Sequence, residues 1–138
     1  MISGTGTFAS LNEAQEFFRE DHFATENDIR LEELRDGDSV CSMTIGRRHR
    51  NAEGGVMGGA IMTLIDFAFA TASCSLHRPT VAQQASVSFL SAPKGQQLTA
   101  KASLRKDGRT SCVYQVDVTD ETGRDIATAV MTGHKIQR

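Results

Sequence analysis

Apolar residues fall at every other position through most of the second half of the chain. Thr80 to Ser91 carries Val81, Ala85, Val87 and Phe89 at period two, until Pro93-Lys94-Gly95 ends the run. Leu98, Ala100, Ala102 and Leu104 alternate next, and Lys106-Asp107-Gly108-Arg109 predicts a tight hairpin turn of the Asp-Gly kind. Cys112, Tyr114, Val116 and Val118 follow, Glu121-Thr122-Gly123 turns the chain again, and Ile126 to Ile136 reads as the last strand. Period two puts alternate side chains on one face of a sheet. Further upstream, Ile29 to Leu34 is ambiguous by periodicity. It reads as a strand because Asp36-Gly37-Asp38 signals a turn, after which Ser39 to Arg47 alternates Val40, Ser42 and Thr44 against Cys41, Met43 and Ile45. Near the N-terminus, Ser10-Leu11-Asn12-Glu13 has the form of a capping box, in which the serine hydroxyl accepts from an amide three residues on while the glutamate reaches back. The helix it opens is expected to run to Glu20 and to bury Leu11, Ala14, Phe17 and Phe18. The pattern predicts an antiparallel sheet of about five or six strands, interrupted by one long apolar segment.

That segment runs from Gly54 to Leu76, GGVMGGAIMTLIDFAFATASCSL, and Asp66 is its single formal charge. Apolar residues on all sides mark a helix buried on nearly every face. Its many small residues, among them Gly58, Gly59, Ala60, Ala68, Ala70 and Ala72, let neighbouring backbone approach closely. The length would suit a membrane span. A central aspartate, the early glycines and the sheet-forming flanks argue instead for a core helix, with no membrane as partner.

An unpaired carboxylate is costly to bury, so Asp66 must be hydrogen-bonded, protonated or facing a water-filled cleft. Two roles are open to it: a core residue that fixes a loop, or a general base or nucleophile tuned by its surroundings. The glycines upstream bear on the choice. Gly54-Gly55-Val56-Met57-Gly58-Gly59 leads into the helix start, where unpaired amides and the positive end of the helix dipole collect. Such a terminus suits a developing oxyanion, although glycines there also serve tight packing or the entry turn. Gly58 and Asp66 are eight residues apart, roughly 12 Å along one helix. They cannot both reach one carbonyl from the same helix. If both act on it, two helices must lie side by side and antiparallel, with a site at each end of a two-fold dimer interface.

Composition narrows the picture further. At 138 residues the chain suits one domain spanning 1–138, and a formal net charge of -2 gives no electrostatic case for nucleic acid as a partner. Arg47-Arg48-His49-Arg50 is a short basic cluster, read either as a solvated loop end or as a contact for the phosphates of a nucleotide-bearing substrate. Cys41, Cys74 and Cys112 show no paired spacing, which fits reduced thiols and a cytoplasmic setting. His22, His49, His77 and His134 are scattered, so no metal site and no cofactor are expected. The first residues have neither the basic flank nor the apolar core of a secretory signal.

The stretch Asn51 to Ala68 resembles the signature of hotdog-fold thioesterases of the phenylacetate-degradation, PaaI-like type. In that family an asparagine, a glycine, a His-Gly-Gly triplet, a leucine and an aspartate recur, and Asn51, Gly55, Gly58, Gly59, Leu64 and Asp66 fall in register. The likeness extends over roughly Ile29 to Ile136, including Phe89-Leu90-Ser91-Ala92-Pro93 and the Gly108-Arg109 hairpin. The resemblance implies an α+β hotdog fold: an antiparallel sheet wrapped around a long central helix, with a short N-terminal helix. It implies an acyl-CoA thioesterase in which Gly58 supplies a carbonyl-polarising amide and Asp66, from the partner subunit, activates water or attacks. Asn51 would help bind the carbonyl or a water, or serve only as a turn residue. Met57, Gly59, Gln83 and Gln84 would line the substrate site, with the acyl group beside Met57, Phe67 or Phe69.

The chain departs from the family at two places. Met57 stands where the family histidine would be, and Ala82-Gln83-Gln84 lacks the hydroxyl that often orients the water, a role open to Gln83 or Gln84. The implied assembly is a homodimer, with a tetramer formed as a dimer of dimers. Arg47, Arg48, Arg50, Lys94 and Arg109 are the basic candidates for a CoA rim. The competing readings are a non-catalytic acyl-CoA-binding domain, which Met57 favours, and a dehydratase, which a motif without histidine disfavours.

Overall fold

A computed structural model describes residues 2–138. In chain order its elements are α1 (Leu11–Phe18), α2 (His22–Thr25), β1 (Ile29–Arg35), β2 (Asp38–Thr44), a 3-10 turn (Arg47–His49), α3 (Gly58–Leu76), β3 (Thr80–Phe89), β4 (Gln97–Asp107), β5 (Ser111–Asp120) and β6 (Asp125–Lys135). The six strands form one sheet in the order β1-β2-β4-β5-β6-β3, and every neighbouring pair is antiparallel. The sheet wraps α3, which packs against all six strands. Although α3 is long and apolar enough to cross a membrane, its flanks are the inner faces of this sheet.

The alternation in β2, β4 and β5 is a record of contact with α3. Cys41, Met43, Leu98, Ala100, Ala102, Cys112, Tyr114, Val116 and Val118 are all buried. Tyr114 lies under α3 with its ring edge-on to Phe69 at 5.8 Å, and its hydroxyl donates to the Gly37 carbonyl at 2.6 Å. The Asp36-Gly37 turn between β1 and β2 has positive φ at both central residues, 52° and 88°, the two-residue geometry whose twist matches a hairpin. At Gly133 on β6 the sheet backbone lies tight against a side chain of the helix. A Cβ there would sit 2.6 Å from the Phe69 ring and 2.9 Å from the Cys112 sulfur. Gly133→Ala is therefore expected to destabilise the fold by about 1–3 kcal/mol, read as a lowered midpoint in urea with an unchanged slope.

Five sequence expectations are corrected. The Ser10 hydroxyl accepts from Glu13 N–H at 3.1 Å as predicted, but the Glu13 carboxylate reaches Ala9 N–H, and the helix ends at Phe18 rather than Glu20. Ala14 and Phe18 are buried, whereas Phe17 is half exposed because it lies against Phe8 at the rim. The β4–β5 connection turns over Arg109-Thr110, closed by Gly108 N–H to the Ser111 carbonyl at 2.8 Å, and not over Asp107-Gly108. Asp107 stays in its strand, held by the Lys135 ammonium. In β3 a bulge at Gln83 shifts the register between Ala82 and Gln84. One inserted residue inverts the phase of everything before it, so Val81 lies opposite His134 on the outer face while Ala85, Val87 and Phe89 share the face toward α3.

Candidate functional site

The approach to α3 is built by Asn51. Its side-chain oxygen accepts from Glu53 N–H at 3.0 Å and Gly55 N–H at 3.1 Å, and its own N–H donates to the Gly55 carbonyl at 2.8 Å. The loop is thereby folded on itself, with Gly54 at φ 87°. Asn51 is thus a turn residue in the way the sequence allowed, and its amide NH2 group, without an acceptor among the described residues, is left as a free donor on an exposed side chain. A bridge between Arg50 and Val56, and a hydrogen bond from Met57 N–H to the His49 carbonyl at 2.8 Å, tie the loop to the strand side.

Met57 caps α3 in extended conformation without a side-chain hydrogen bond. The first acceptor bonds of the helix come from Ala60 and Ile61 N–H to the Met57 carbonyl. The N–H groups of Gly58 and Gly59 have no acceptor among the described residues, so they stand unpaired at the positive end of a 19-residue helix. Gly58 also lines a cleft of about 380 Å³ with Val56, Ile61, Phe89, Leu90, Ser91, Ala92 and Pro93. Phe89 and Leu90 are each about half exposed there, at 54% and 53%. This is an apolar slot that ends on free backbone donors, the arrangement that polarises a carbonyl whose substituent is apolar.

Asp120 fixes the chain just beyond Pro93, a residue that lines that slot. It is buried, and its carboxylate accepts from the N–H groups of Lys94, Gly95, Thr122 and Arg124 and from the Thr122 hydroxyl. These bonds hold its pKa far below the usual carboxylate range, the Thr122 hydroxyl contributing most. Nothing in the alternation singled Asp120 out, because it closes β5 as one more polar turn residue.

Asp66 stands two turns into α3 and makes no hydrogen bond or ion pair among the described residues. It is exposed on a stripe with Gly59, Met62, Thr63 and Ala70, the one side of α3 the sheet leaves open. Its carboxylate reaches solvent in the single chain, yet the protein on the α2 side strips part of its hydration. That desolvation raises its pKa above the ordinary carboxylate value, and the like charge of Asp21, which precedes α2, raises it further.

The chain therefore brings Asn51, Met57, Gly58 and Gly59 together at one end of α3 and places Asp66 roughly 12 Å away along the axis. Met57 is exposed at 56% and lies over Gly59. Gln83 occupies the β3 bulge, and Gln84 pairs with Thr132, both about 17–20 Å along β3 from Phe89 and so toward the Asp66 end. Phe67 and Phe69 are not beside Gly58. Phe67 packs on Phe18 at 5.8 Å and borders a separate cleft under α1 and α2, and Phe69 is buried against Tyr114. The apolar walls beside Gly58 are Val56, Ile61, Phe89 and Leu90, which the periodic pattern assigned to a strand end and to the core.

Comparison with known proteins matches this architecture to a family. The thioesterase superfamily model covers residues 53–127, more than half of the chain and all of the segment from the glycine loop through Asp66. The acyl-coenzyme A thioesterase PaaI of Escherichia coli K12 is 27% identical over 124 residues, 89% of each chain, and its solved structure superposes with a TM-score of 0.85 at 26% identity over 91% and 92% of the two chains. Human acyl-coenzyme A thioesterase 13 is 31% identical over 102 residues, 71% of this chain and 73% of that one. A hypothetical thioesterase of Streptococcus pneumoniae TIGR4, solved with coenzyme A, has a TM-score of 0.80 at 30% identity, covering 88% and 98%. The chain belongs to the thioesterase superfamily, as a hotdog-fold, PaaI-like thioesterase.

Proposed function

We propose that the protein hydrolyses an acyl-CoA thioester at sites completed by two subunits. The observation that carries this reading is the unpaired Gly58 N–H, with Gly58 lining an apolar cleft, on the same helix that exposes Asp66. In the reaction the Gly58 N–H binds the thioester carbonyl oxygen, which gains charge as the carbonyl carbon becomes tetrahedral. The Asp66 carboxylate either takes a proton from the water that attacks the carbon, or attacks the carbon itself to give a mixed anhydride that water then hydrolyses; in both courses the C–S bond breaks and the CoA thiolate departs and takes up a proton. The free NH2 of Asn51 is a second donor for the carbonyl or the water. Met57 leaves the cleft entrance apolar where the family pattern has a histidine, so carbonyl polarisation rests on backbone donors. The role of orienting the water falls to Gln83 or Gln84, which stand where the family pattern often has a hydroxyl.

If Gly58 and Asp66 act on one carbonyl, their separation on one helix calls for a second subunit. Strand β3 is a ten-residue edge with its outer backbone groups unpaired, a template for a second copy of the same strand. Pairing β3 with its symmetry mate would cover Ala85, Val87 and the open stripe of α3, and would set the partner's Asp66 beside Gly58. Exposed Val81 and Val130 on the outer sheet face are where two such dimers would join as a tetramer. The three thiols are free and buried, which suits the reducing cytoplasm.

The test is a thiol-release assay with short, long and aromatic acyl-CoA substrates, alongside light scattering of the same sample. Turnover of at least one class by a dimer or tetramer is expected. Absence of turnover across the panel by a correctly assembled protein would rule the reading out.

A further inference from the structure

His49, inside the basic run after β2, is 2% exposed and uses all of its polar groups. Its ring nitrogens face two different segments. Nδ1 lies 2.8 Å from the Gly46 nitrogen and Nε2 lies 2.7 Å from the Asn27 carbonyl oxygen. A backbone N–H only donates and a carbonyl only accepts, so Nδ1 is the acceptor and Nε2 carries the proton. The backbone is used as fully. His49 N–H donates to the Gly46 carbonyl at 3.1 Å, and its carbonyl accepts from Met57 N–H at 2.8 Å. One residue thus joins the chain leaving β2, the segment between α2 and β1, and the residue that caps α3. An apolar side chain could fill the same space, but Gly46 N–H and the Asn27 carbonyl would lose this partner.

The bond to Met57 sets this clamp beside the reacting end of α3. Gly58 N–H and the Met57 carbonyl belong to one planar peptide unit, so the direction of one fixes the other. The helix holds that unit from one side, through Ala60 and Ile61 N–H on the Met57 carbonyl. On the other side the chain entering Gly58 is held by Met57 N–H on His49 and by the Arg50–Val56 bridge. The Asn51 turn between them is exposed and closes on itself, which gives the loop its shape. The buried attachment of the loop to the rest of the protein runs through the His49 ring, with an exposed bond from Arg48 to the Glu26 carbonyl alongside it.

We propose that His49 is a positioning residue for hydrolysis: it touches no substrate, and it holds the Gly58 N–H where the carbonyl oxygen gains charge. This rests on the acyl-CoA reading above and adds the residue on which the donor's place depends. A positioned group must stay within about 0.5 Å of its productive geometry, and a displacement of about 1 Å can cost about a hundred-fold in rate. The carbonyl oxygen carries more charge in the transition state than in bound substrate. The cost therefore falls on kcat and leaves KM nearly alone.

Three variants of the full chain separate the two ring bonds. His49→Asn keeps an oxygen near the Nδ1 position for Gly46, His49→Gln keeps an NH2 near the Nε2 position for Asn27, and His49→Leu keeps neither. On the preferred acyl-CoA, His49→Asn and His49→Gln are expected to lower kcat about ten-fold and His49→Leu about a hundred-fold, with KM within about two-fold of wild type. Gly58→Pro removes the donor itself. In that background His49→Asn is expected to lower kcat by less than about two-fold, because no N–H is left to position. Unchanged kcat in all three His49 variants would overturn the proposal. So would a loss carried by KM, or a ten-fold loss that persists beside Gly58→Pro, which marks a general structural role. Amide exchange of Met57, read by NMR, needs no turnover. It is expected to rise at least about ten-fold in His49→Asn and His49→Gln, while the Tyr114 and Val116 amides in β5 keep their protection. If wild type hydrolyses no acyl-CoA, the hydrolytic reading fails by itself and Met57 exchange still decides the positioning. Equal Met57 exchange in wild type and variants would overturn it.

Discussion

Replacing Asp66 with asparagine is expected to lower kcat on the preferred acyl-CoA by about a hundred- to ten-thousand-fold, the range a positioned acid–base or nucleophilic group supplies. The protein itself should not suffer. Among the described residues Asp66 makes no hydrogen bond or ion pair that asparagine would break, and it lies on the stripe of α3 that the sheet leaves open. Its pKa is raised in the folded chain by desolvation first and by Asp21 second. A carboxyl raised by folding binds its proton more tightly in the native state, so ionising it above that pKa costs stability. Asparagine removes that cost, and at pH 7 the variant should melt no lower than wild type. A loop-fixing aspartate would behave in the opposite way, losing stability along with activity. The pH profile gives the same distinction a second time. Activity requires ionised Asp66 and is lost as pH falls through its pKa, so the acid limb of kcat should lie above the ordinary carboxylate range. Asp21→Asn removes a like charge, lets Asp66 ionise at lower pH, and should move that limb in the acid direction.

How far the chain could be read in advance depended on whether one neighbour dominated each residue's surroundings. Strands β2, β4 and β5 face α3 along their length, and their alternating residues Cys41, Met43, Ala100, Tyr114 and Val116 were legible for that reason. Strand β3 has no second neighbour, and its bulge at Gln83 broke a period that had looked continuous from Val81 to Phe89. Helix α2, four residues with Phe23 three-quarters exposed, carries too little periodicity to be seen. The glycine loop and Asp66 stood out because their types are rare in an apolar segment. The walls of the cleft did not, because Phe89 and Leu90 look like ordinary strand residues and Phe67 and Phe69 look equally able to hold an acyl group. Only tertiary packing separates them: two rings turn inward to Phe18 and Tyr114, and the other two residues stay open beside Gly58. The arginine turn was legible as charge, but its rigidity comes from His49 reaching Gly46 on one side and Asn27 on the other.

Gly58→Pro isolates the backbone donor, and it should cost about a hundred- to thousand-fold in kcat, as removal of an oxyanion donor does. Proline is suited to this position. Gly58 is the first residue of α3, where a missing N–H breaks no helical bond, and the preceding Met57 is already extended at φ -65° and ψ 136°. A Cβ at this position meets only the edge of Phe89, at 3.4 Å, and that side chain is half exposed and free to shift. Helix content and melting temperature should stay near those of wild type. The decisive measurement mixes this variant with Asp66→Asn after joint unfolding and refolding. If each site takes Gly58 from one subunit and Asp66 from the other, a mixed dimer contains one intact site and one doubly defective site. Equal mixing gives mixed dimers as half of the population, so activity should recover to about a quarter of wild type from two nearly inactive parents. A site contained within one subunit would recover nothing, because every chain in the mixture lacks one of the two groups. Recovery near one quarter would therefore locate Asp66 opposite Gly58 across the two-fold axis, the arrangement that a spacing of eight residues on one helix calls for if both groups act on one carbonyl.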